Sequence, residues 1–489
     1  MRSLFTFLLG ICFLVVGLAQ DGTPDATFGN NGTKEINLTG TQDWASVVKS
    51  NASGRILVVA VPGNQQGNLI IALSEDGSLD TDFGIDGVLS FEYNGQPKQI
   101  MKLLLFEDDS FLVLFESGSL MFAKYLPGGD LDTSFGNQGY VSITNSMNSV
   151  SNLTQVGDRW LLVGYSNIAG LYHVKVSRYL LDGSLDATYG NAGNVTHIIN
   201  QTGISQLKFS IDQQQHITVV GMFKEDDFQQ IILTRLLENG AVDTDFGEEG
   251  FSIQPYQPIN NSLSLSLQFV RLQDGNYLMT VTEVDIDEEI TKFYFIKFNA
   301  QGERLMDFGN DGRKYGGGYG VFKLVLQPNG RVFILGNSYQ FEGVSYFLGR
   351  FFPNGVYDNS FTLQFNSQDF YGADLILQPD GKGLILSYSV WLEPDGWIHL
   401  ERFLNNPLSL PVHPAGRWVI YPNPSSQEVY LENTLWNHVP ITYVLYDVTG
   451  KILRTGVLSS ATTTLDISGL ATGVYILAAG QERFRLVKN

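Results

Sequence analysis

Cysteine is all but missing from this chain. The single one, Cys12, lies in an apolar N-terminal stretch, so the rest of the protein has neither a disulfide framework nor a thiol nucleophile. Basic side chains are scarce too. Thirty Lys and Arg stand against 50 Asp and Glu, a net charge of −20 that repels nucleic-acid phosphates and anionic lipid surfaces. Past the first twenty residues no apolar run reaches the roughly 18 that a membrane helix requires. The six histidines, His173, His197, His216, His399, His413 and His438, form no HExxH or close ligand pair, which argues against zinc. No G-x-S-x-G elbow and no P-loop occurs. Acidic pairs abound, but in so acidic a chain they say nothing about glycoside hydrolysis.

Residues 1 to 19 read as a secretory signal: Arg2 is the positive start, Leu4 to Leu18 an apolar run, and Gly17-Leu18-Ala19 a cleavage site before Gln20. A retained anchor is the competing reading, disfavoured because the run is short. Ile11 is too bulky for the usual lipoprotein-processing site before Cys12. The expectation is an exported protein with no membrane span after signal removal, no lipid anchor and no disulfide.

What is abundant is glycine (52), aromatic residues (12%) and a repeated phrase. It reads DGTPDATFGNNG from Asp21, DGSLDTDFGIDG from Asp76, GGDLDTSFGNQG from Gly128, DGSLDATYGNAG from Asp182 and NGAVDTDFGEEG from Asn239. Degenerate copies follow as QGERLMDFGNDG from Gln301 and NGVYDNSF from Asn354. The aromatic anchors Phe28, Phe83, Phe135, Tyr189, Phe246, Phe308 and Phe361 are 52 to 62 residues apart, a period that fits no helical solenoid well. Each period holds four apolar segments, such as Val88 to Tyr93, Gln99 to Leu105, Phe111 to Phe115 and Leu120 to Leu126, enough for one antiparallel sheet. Central segments such as Ile56-Leu57-Val58-Val59-Ala60-Val61 are apolar throughout, so both faces must be buried. Sheets flanked by copies of themselves meet that demand, which predicts an all-β, seven-bladed β-propeller over residues 20–404. The last copy lacks a following phrase, so the N-terminal copy is expected to complete the seventh blade. Within the phrase, Asp-Gly forms a turn, the second Asp holds backbone amides and the aromatic plugs the seam between sheets. Asp76, Asp80 and Asp82 read as turn residues, since the acid at position 12 of an EF-hand loop is missing.

The phrase resembles the delta-60 repeat of secreted bacterial proteins, which marks an architecture and carries no agreed activity. Pro407, Pro411 and Pro414 make residues 405–416 a semi-rigid linker, and seven short strands in 417–489 predict a small Ig-like β-sandwich. This last segment carries Tyr421-Pro422-Asn423-Pro424, then Asp447 with Gly450-Lys451, then Ile467-Ser468-Gly469-Leu470 with Gly473-Val474-Tyr475, and last Leu486-Val487-Lys488. In that order these blocks resemble the C-terminal sorting domain of the type IX secretion system of Bacteroidota. The resemblance implies the secretion machinery as partner and a secreted or outer-membrane surface-attached product. A plain carbohydrate-binding sandwich is the alternative reading.

No catalytic constellation emerges. The loops opposite the repetitive face vary, and variable loops on a rigid scaffold are where recognition resides. Several carry aromatics: Trp44, Tyr256, Tyr315, Tyr319, Tyr339, Phe341, Tyr371, Trp391 and Trp397. Seam packing is the competing reading for most of them. Trp391, Asp395 and Trp397, two indoles around an acidic turn, make the strongest ligand-binding candidate, and Tyr339 and Phe341 are further candidates. Asp285, Asp287 and Glu288, in an acidic loop with Glu283 and Glu289, are a weak calcium candidate against the reading of a solvated loop. No other cofactor is expected. Two functions stand: a non-catalytic binding or scaffold protein with a glycan or surface-protein ligand, or a secreted polysaccharide hydrolase or lyase.

Overall fold

The computed structural model describes residues 21–38, 43–63, 67–144, 147–199, 204–225, 228–258, 262–285, 290–340, 343–365, 368–389, 396–405, 418–421, 425–433, 441–447, 451–458, 460, 462–479 and 482–489. The signal segment with Cys12 lies outside them. Two compact units divide near Asn406. Every regular element among the described residues is a strand.

Among the described residues the first unit holds seven antiparallel sheets of three or four strands and a two-stranded ribbon, Glu92–Tyr93 with Gln96–Pro97. The first sheet shows the pattern, running from its inner strand Trp44–Ser50 through Ile56–Val61 and Leu69–Leu73 to Val88–Ser90. Side chains alternate across a strand, and here each face has a different partner. Ile56, Val58 and Ala60 pack with Leu384, Leu386, Ile398 and Leu400 of the seventh sheet, whereas Leu57 and Val59 pack with Leu103, Val113 and Phe115 of the second. The same division recurs: apolar clusters join sheets two and three, three and four, four and five, five and six, and six and seven. The order of contacts is therefore cyclic, which explains why the middle strands have no polar face.

Repeat and sheet are out of phase. Sequence counting places Val88 to Tyr93 at the head of a unit, but Val88–Ser90 pairs back onto Leu69–Leu73, so the phrase is a turn inside one sheet. Closure follows from that offset. The strand after the first phrase, Thr33–Ile36, becomes the fourth strand of the seventh sheet, with Thr33 opposite Glu401 and Ile36 opposite Ile398. The sixth sheet departs from the four-strand expectation, with three strands among the described residues. Thr362 stands where other copies have glycine, and the Thr362 and Gln364 amides donate instead to the carbonyls of Asp21 and Gly22.

The phrase also ties neighbouring sheets together. The Arg178 Nε donates to Asp186 at 2.9 Å, its guanidinium lies 4.5 Å from the Tyr189 ring centre, and its Nη1 donates to the Glu238 carbonyl of the next phrase. Arg235 does the same with Asp243, Phe246 and Ala300, and Arg402 with Asp25, Phe28 and Glu75. Arg350 joins Asp358 at 2.7 Å and Asp21 at 2.6 Å over Phe361. Position matters at the glycine too: a Cβ on Gly77, whose φ is +83°, would meet the Phe28 ring at 2.8 Å.

In the second unit, Trp418–Tyr421, Glu428–Asn433 and Thr462–Asp466 form one sheet, and Ile452–Leu458, Ile441–Asp447, Gly473–Ala479 and Glu482–Lys488 the other. Val429, Leu431 and Leu465 of the first share one apolar core with Leu445, Leu477 and Leu486 of the second.

Candidate functional site

Each of the seven inner strands carries a one-residue bulge at the same place, between Ala45 and Val47, Ile100 and Lys102, Val150 and Asn152, Ile204 and Gln206, Ser264 and Ser266, Val321 and Lys323, and Gly372 and Asp374. A bulge twists a strand and re-aims the side chains that follow it. All seven strands contribute to a single cavity of about 340 Å³. Lys49, Lys102, Lys208, Lys323 and Asp374 line it, with Ser46, Asn152 and Gln268 as polar neighbours and Phe209, Phe269 and Phe322 as apolar ones.

The charge there opposes that of the chain. Over the seven inner strands the charged residues are Lys49, Lys102, Lys208, Arg271, Lys323 and Asp374. Arg271 is taken by Asp212. Asp374 is taken as well, by the Lys323 ammonium at 2.6 Å and the Val48 amide at 3.2 Å. Among the described residues no carboxylate lies within 4 Å of the Lys49, Lys102 or Lys208 ammonium. Burial holds all three below the ordinary lysine pKa. Neighbouring ammonium groups add to this, Lys208 and Lys323 at Lys102, and Lys323 at Lys208. At Lys49 the Asp374 carboxylate opposes the shift. Such a site attracts anions and holds several donors ready for them.

A larger, open groove of about 690 Å³ runs along outer strands past Ile198, Phe251, Ile253 and Glu303. Its hydroxyl, Ser252, is buried and donates to the Gly302 carbonyl. Among the described residues no basic side chain lines it.

The residues singled out by sequence are distributed differently. Trp391, Asp395, Phe341, Asp287 and Glu288 lie outside the described residues, and Tyr339 belongs to the strand Val332–Gln340. Trp397 is half-buried, and its amide donates to the Ser389 hydroxyl at 2.8 Å. The strands leading to these positions and to the acidic loop are the second and third of sheets five, six and seven, so all three connections leave the same face. Tyr256 is a buried strand residue and not a loop aromatic; its hydroxyl donates to Glu283, which Arg313 approaches at 3.8 Å. Tyr371 stacks on Tyr388, its cross-strand partner in the same sheet, and Tyr319 stacks on Phe347 against the apolar cluster between sheets five and six. Asp285 is buried with the Lys292 ammonium 3.9 Å away. Among the described residues no three acidic, histidine or cysteine side chains gather in a metal-binding group.

Sequence reasoning passed over the channel lysines. The signal was present as single lysines inside apolar first strands, visible once the repeats are aligned on their bulges.

In the second unit the sorting blocks form turns and pairings. The Lys451 amide donates to the Asp447 carboxylate at 3.0 Å, closing a hairpin. The Tyr475 hydroxyl donates to the Ala471 carbonyl, and Gly473 pairs with Lys488. Tyr421 lies in the strand Trp418–Tyr421, while Pro422, Asn423, Pro424 and Gly450 fall outside the described residues.

Residues 419–489 match the family described as a secretion system C-terminal sorting domain. Residues 158–189 match the β-propeller domain of unknown function DUF5122. No curated protein matches the chain. Among solved structures it is similar to an acylaminoacyl peptidase of Pyrococcus horikoshii, at 9% identity, 81% of this chain, 59% of the peptidase and a TM-score of 0.41. The chain thus spans about three fifths of that enzyme's length. It is also similar to the β-propeller domain of the Trilobed protease from Pyrococcus furiosus, at 11% identity, 77% of this chain, 99% of that domain and a TM-score of 0.39. A third likeness is to an endo-arabinase from Bacteroides thetaiotaomicron, at 11% identity, 50% of this chain, 91% of the enzyme and a TM-score of 0.30. These likenesses are too distant to speak for an activity. Sorting domain and repeat together identify a β-propeller protein sent by the type IX secretion system to the cell surface or the extracellular space.

Proposed function

We propose that residues 20–404 are a seven-bladed propeller, joined by the linker 405–416 to an Ig-like sorting sandwich, 417–489, and that the protein is a non-catalytic binding module. Its ligand enters the central channel. The observation that carries this reading is the cavity to which all seven inner strands contribute a wall. Its chemistry favours binding over hydrolysis: glycoside hydrolysis uses two carboxylates, and the one carboxylate on the inner strands, Asp374, is already engaged by Lys323 and the Val48 amide. Tyr339, near the end of the strand Val332–Gln340, and the connections bearing Phe341, Trp391, Asp395 and Trp397 are proposed as a second contact area, and the acidic segment from the buried strand-end Asp285 through Asp287 and Glu288 as a calcium-sensitive neighbour.

A binding and turnover screen of the mature protein against glycans and surface proteins, with and without calcium, tests the proposal. Saturable binding without product, weakened by Phe269→Ala in the channel, is the expected outcome. Product release from a polysaccharide would replace it with the hydrolase or lyase reading.

A further inference from the structure

The channel lysines also bear on what kind of ligand fits. Resting on the reading of the channel as the binding site, we propose that it takes a small polyanion, a sugar-sized molecule with two or more carboxylate, sulfate or phosphate groups seated among Lys49, Lys102, Lys208 and Lys323.

Four observations converge. Of the six charged residues on the inner strands five are basic, in a chain with 30 basic and 50 acidic side chains. Of the four lysines on the cavity wall, Lys323 has its carboxylate and the other three have none within 4 Å among the described residues. Half-buried ammonium groups without a partner cost stability, and a purely structural role offers no return for that cost. Finally, a cavity of about 340 Å³ is at the small end of ligand sites, suited to a monosaccharide or compact acid and not to a folded partner. Asn152, Ser46 and Gln268 supply neutral hydrogen bonds, while Phe209, Phe269 and Phe322 supply apolar contact for the body of the ligand.

One physical consequence separates this site from a merely sticky surface. Lys49, Lys102 and Lys208 hold their protons less firmly than free lysine, and a bound anion restores that hold. Wherever one of the three is partly deprotonated before binding, binding therefore takes up protons. The other charged groups facing the site, Lys323 and Asp374, are paired with each other, and Arg271 is paired with Asp212.

The test is calorimetric titration of the mature protein with pyrophosphate, citrate and digalacturonate, each at low salt and in two buffers of different ionisation heat. Saturable binding of at least one probe is expected, with proton uptake and weakening by added salt. Lys102→Gln and Lys208→Gln should each lower affinity about tenfold or more. Lys297→Gln, outside the channel, should not, and melting curves confirm that each variant is folded. The preferred probe tells phosphate from carboxylate chemistry. Failure of all three probes to saturate by millimolar concentration overturns the proposal, as does binding that Lys102→Gln and Lys208→Gln leave unchanged. If a neutral ligand binds and Phe269→Ala weakens it, the channel reading survives and the polyanion falls. If channel substitutions affect no ligand, both fall.

Discussion

Two sets of cations in this protein live under opposite rules. Around the repeated phrases, Arg178, Arg235, Arg350 and Arg402 each meet an aspartate within 3 Å and an aromatic ring within about 5 Å. Along the channel, three of four lysines have no carboxylate in reach among the described residues. The first set repeats with the sequence period; the second does not, since its equivalent post-bulge positions hold Val47, Lys102, Asn152, Gln206, Ser266, Lys323 and Asp374. Regularity here marks what holds the sheets together. Departure from it, at a place all sheets share, marks the proposed binding site.

The contrast breaks most visibly at the ring's closure. Replacing Arg402 with alanine leaves the buried Asp25 with Lys382, at 3.3 Å, as its one remaining cation among the described residues and removes the link to Phe28 and the Glu75 carbonyl, which should cost about 2–4 kcal/mol in urea unfolding. A loss below about 1 kcal/mol would show that the paired set is ornamental.

A single carboxyl on the closing strand offers the next test. Glu401 is buried, accepts a hydrogen bond from Tyr346, and is pushed up to about 7 by burial. Because the folded protein holds this proton more tightly than the unfolded chain, stability falls as pH rises from about 4.5 to about 7, by on the order of 3 kcal/mol. Glu401→Gln should flatten that slope, as read from unfolding free energies at pH 5 and pH 8. An unchanged slope would assign the effect to other groups.

Gly77→Ala places a methyl against the Phe28 ring at an unfavourable φ, for an expected loss of about 1–3 kcal/mol. Lys102→Met should act in the other direction, with an equal or higher melting temperature, because it removes a charge that burial disfavours. A clear loss of stability would place Lys102 in the structural set. The smallest effect is a repair. In the degenerate sixth phrase Leu305 stands where other copies have aspartate, and Lys297 turns to the half-exposed Asp274 at 3.6 Å. Leu305→Asp should gain at most about 1 kcal/mol in the same measurement.

The β class and the repeated phrase were legible because turn chemistry is local: Asp-Gly, the second Asp and the aromatic each act within a dozen residues or against the next copy. The phase of the sheets was less so, since nothing in Val88 to Tyr93 tells whether it pairs forward or back. The channel was hidden for a related reason. Lys49, Lys102, Lys208 and Lys323 are far apart in sequence and sit in otherwise apolar or neutral strands, so only ring closure makes them neighbours. Loop aromatics drew the eye instead, although Tyr256, Tyr319 and Tyr371 are packed against other side chains.

The pairing of Thr33–Ile36 with the strand Ile398–Phe403 has a consequence for the order of synthesis. The earliest strand made waits for nearly the last one of its unit, so any chain cut short before Phe403 keeps an unpaired strand at each end, the kind of edge that recruits other chains. The sorting domain is made later still. A chain that carries the sorting domain therefore already holds both strands of the closing pair, and a chain truncated within the first unit lacks the sorting domain as well.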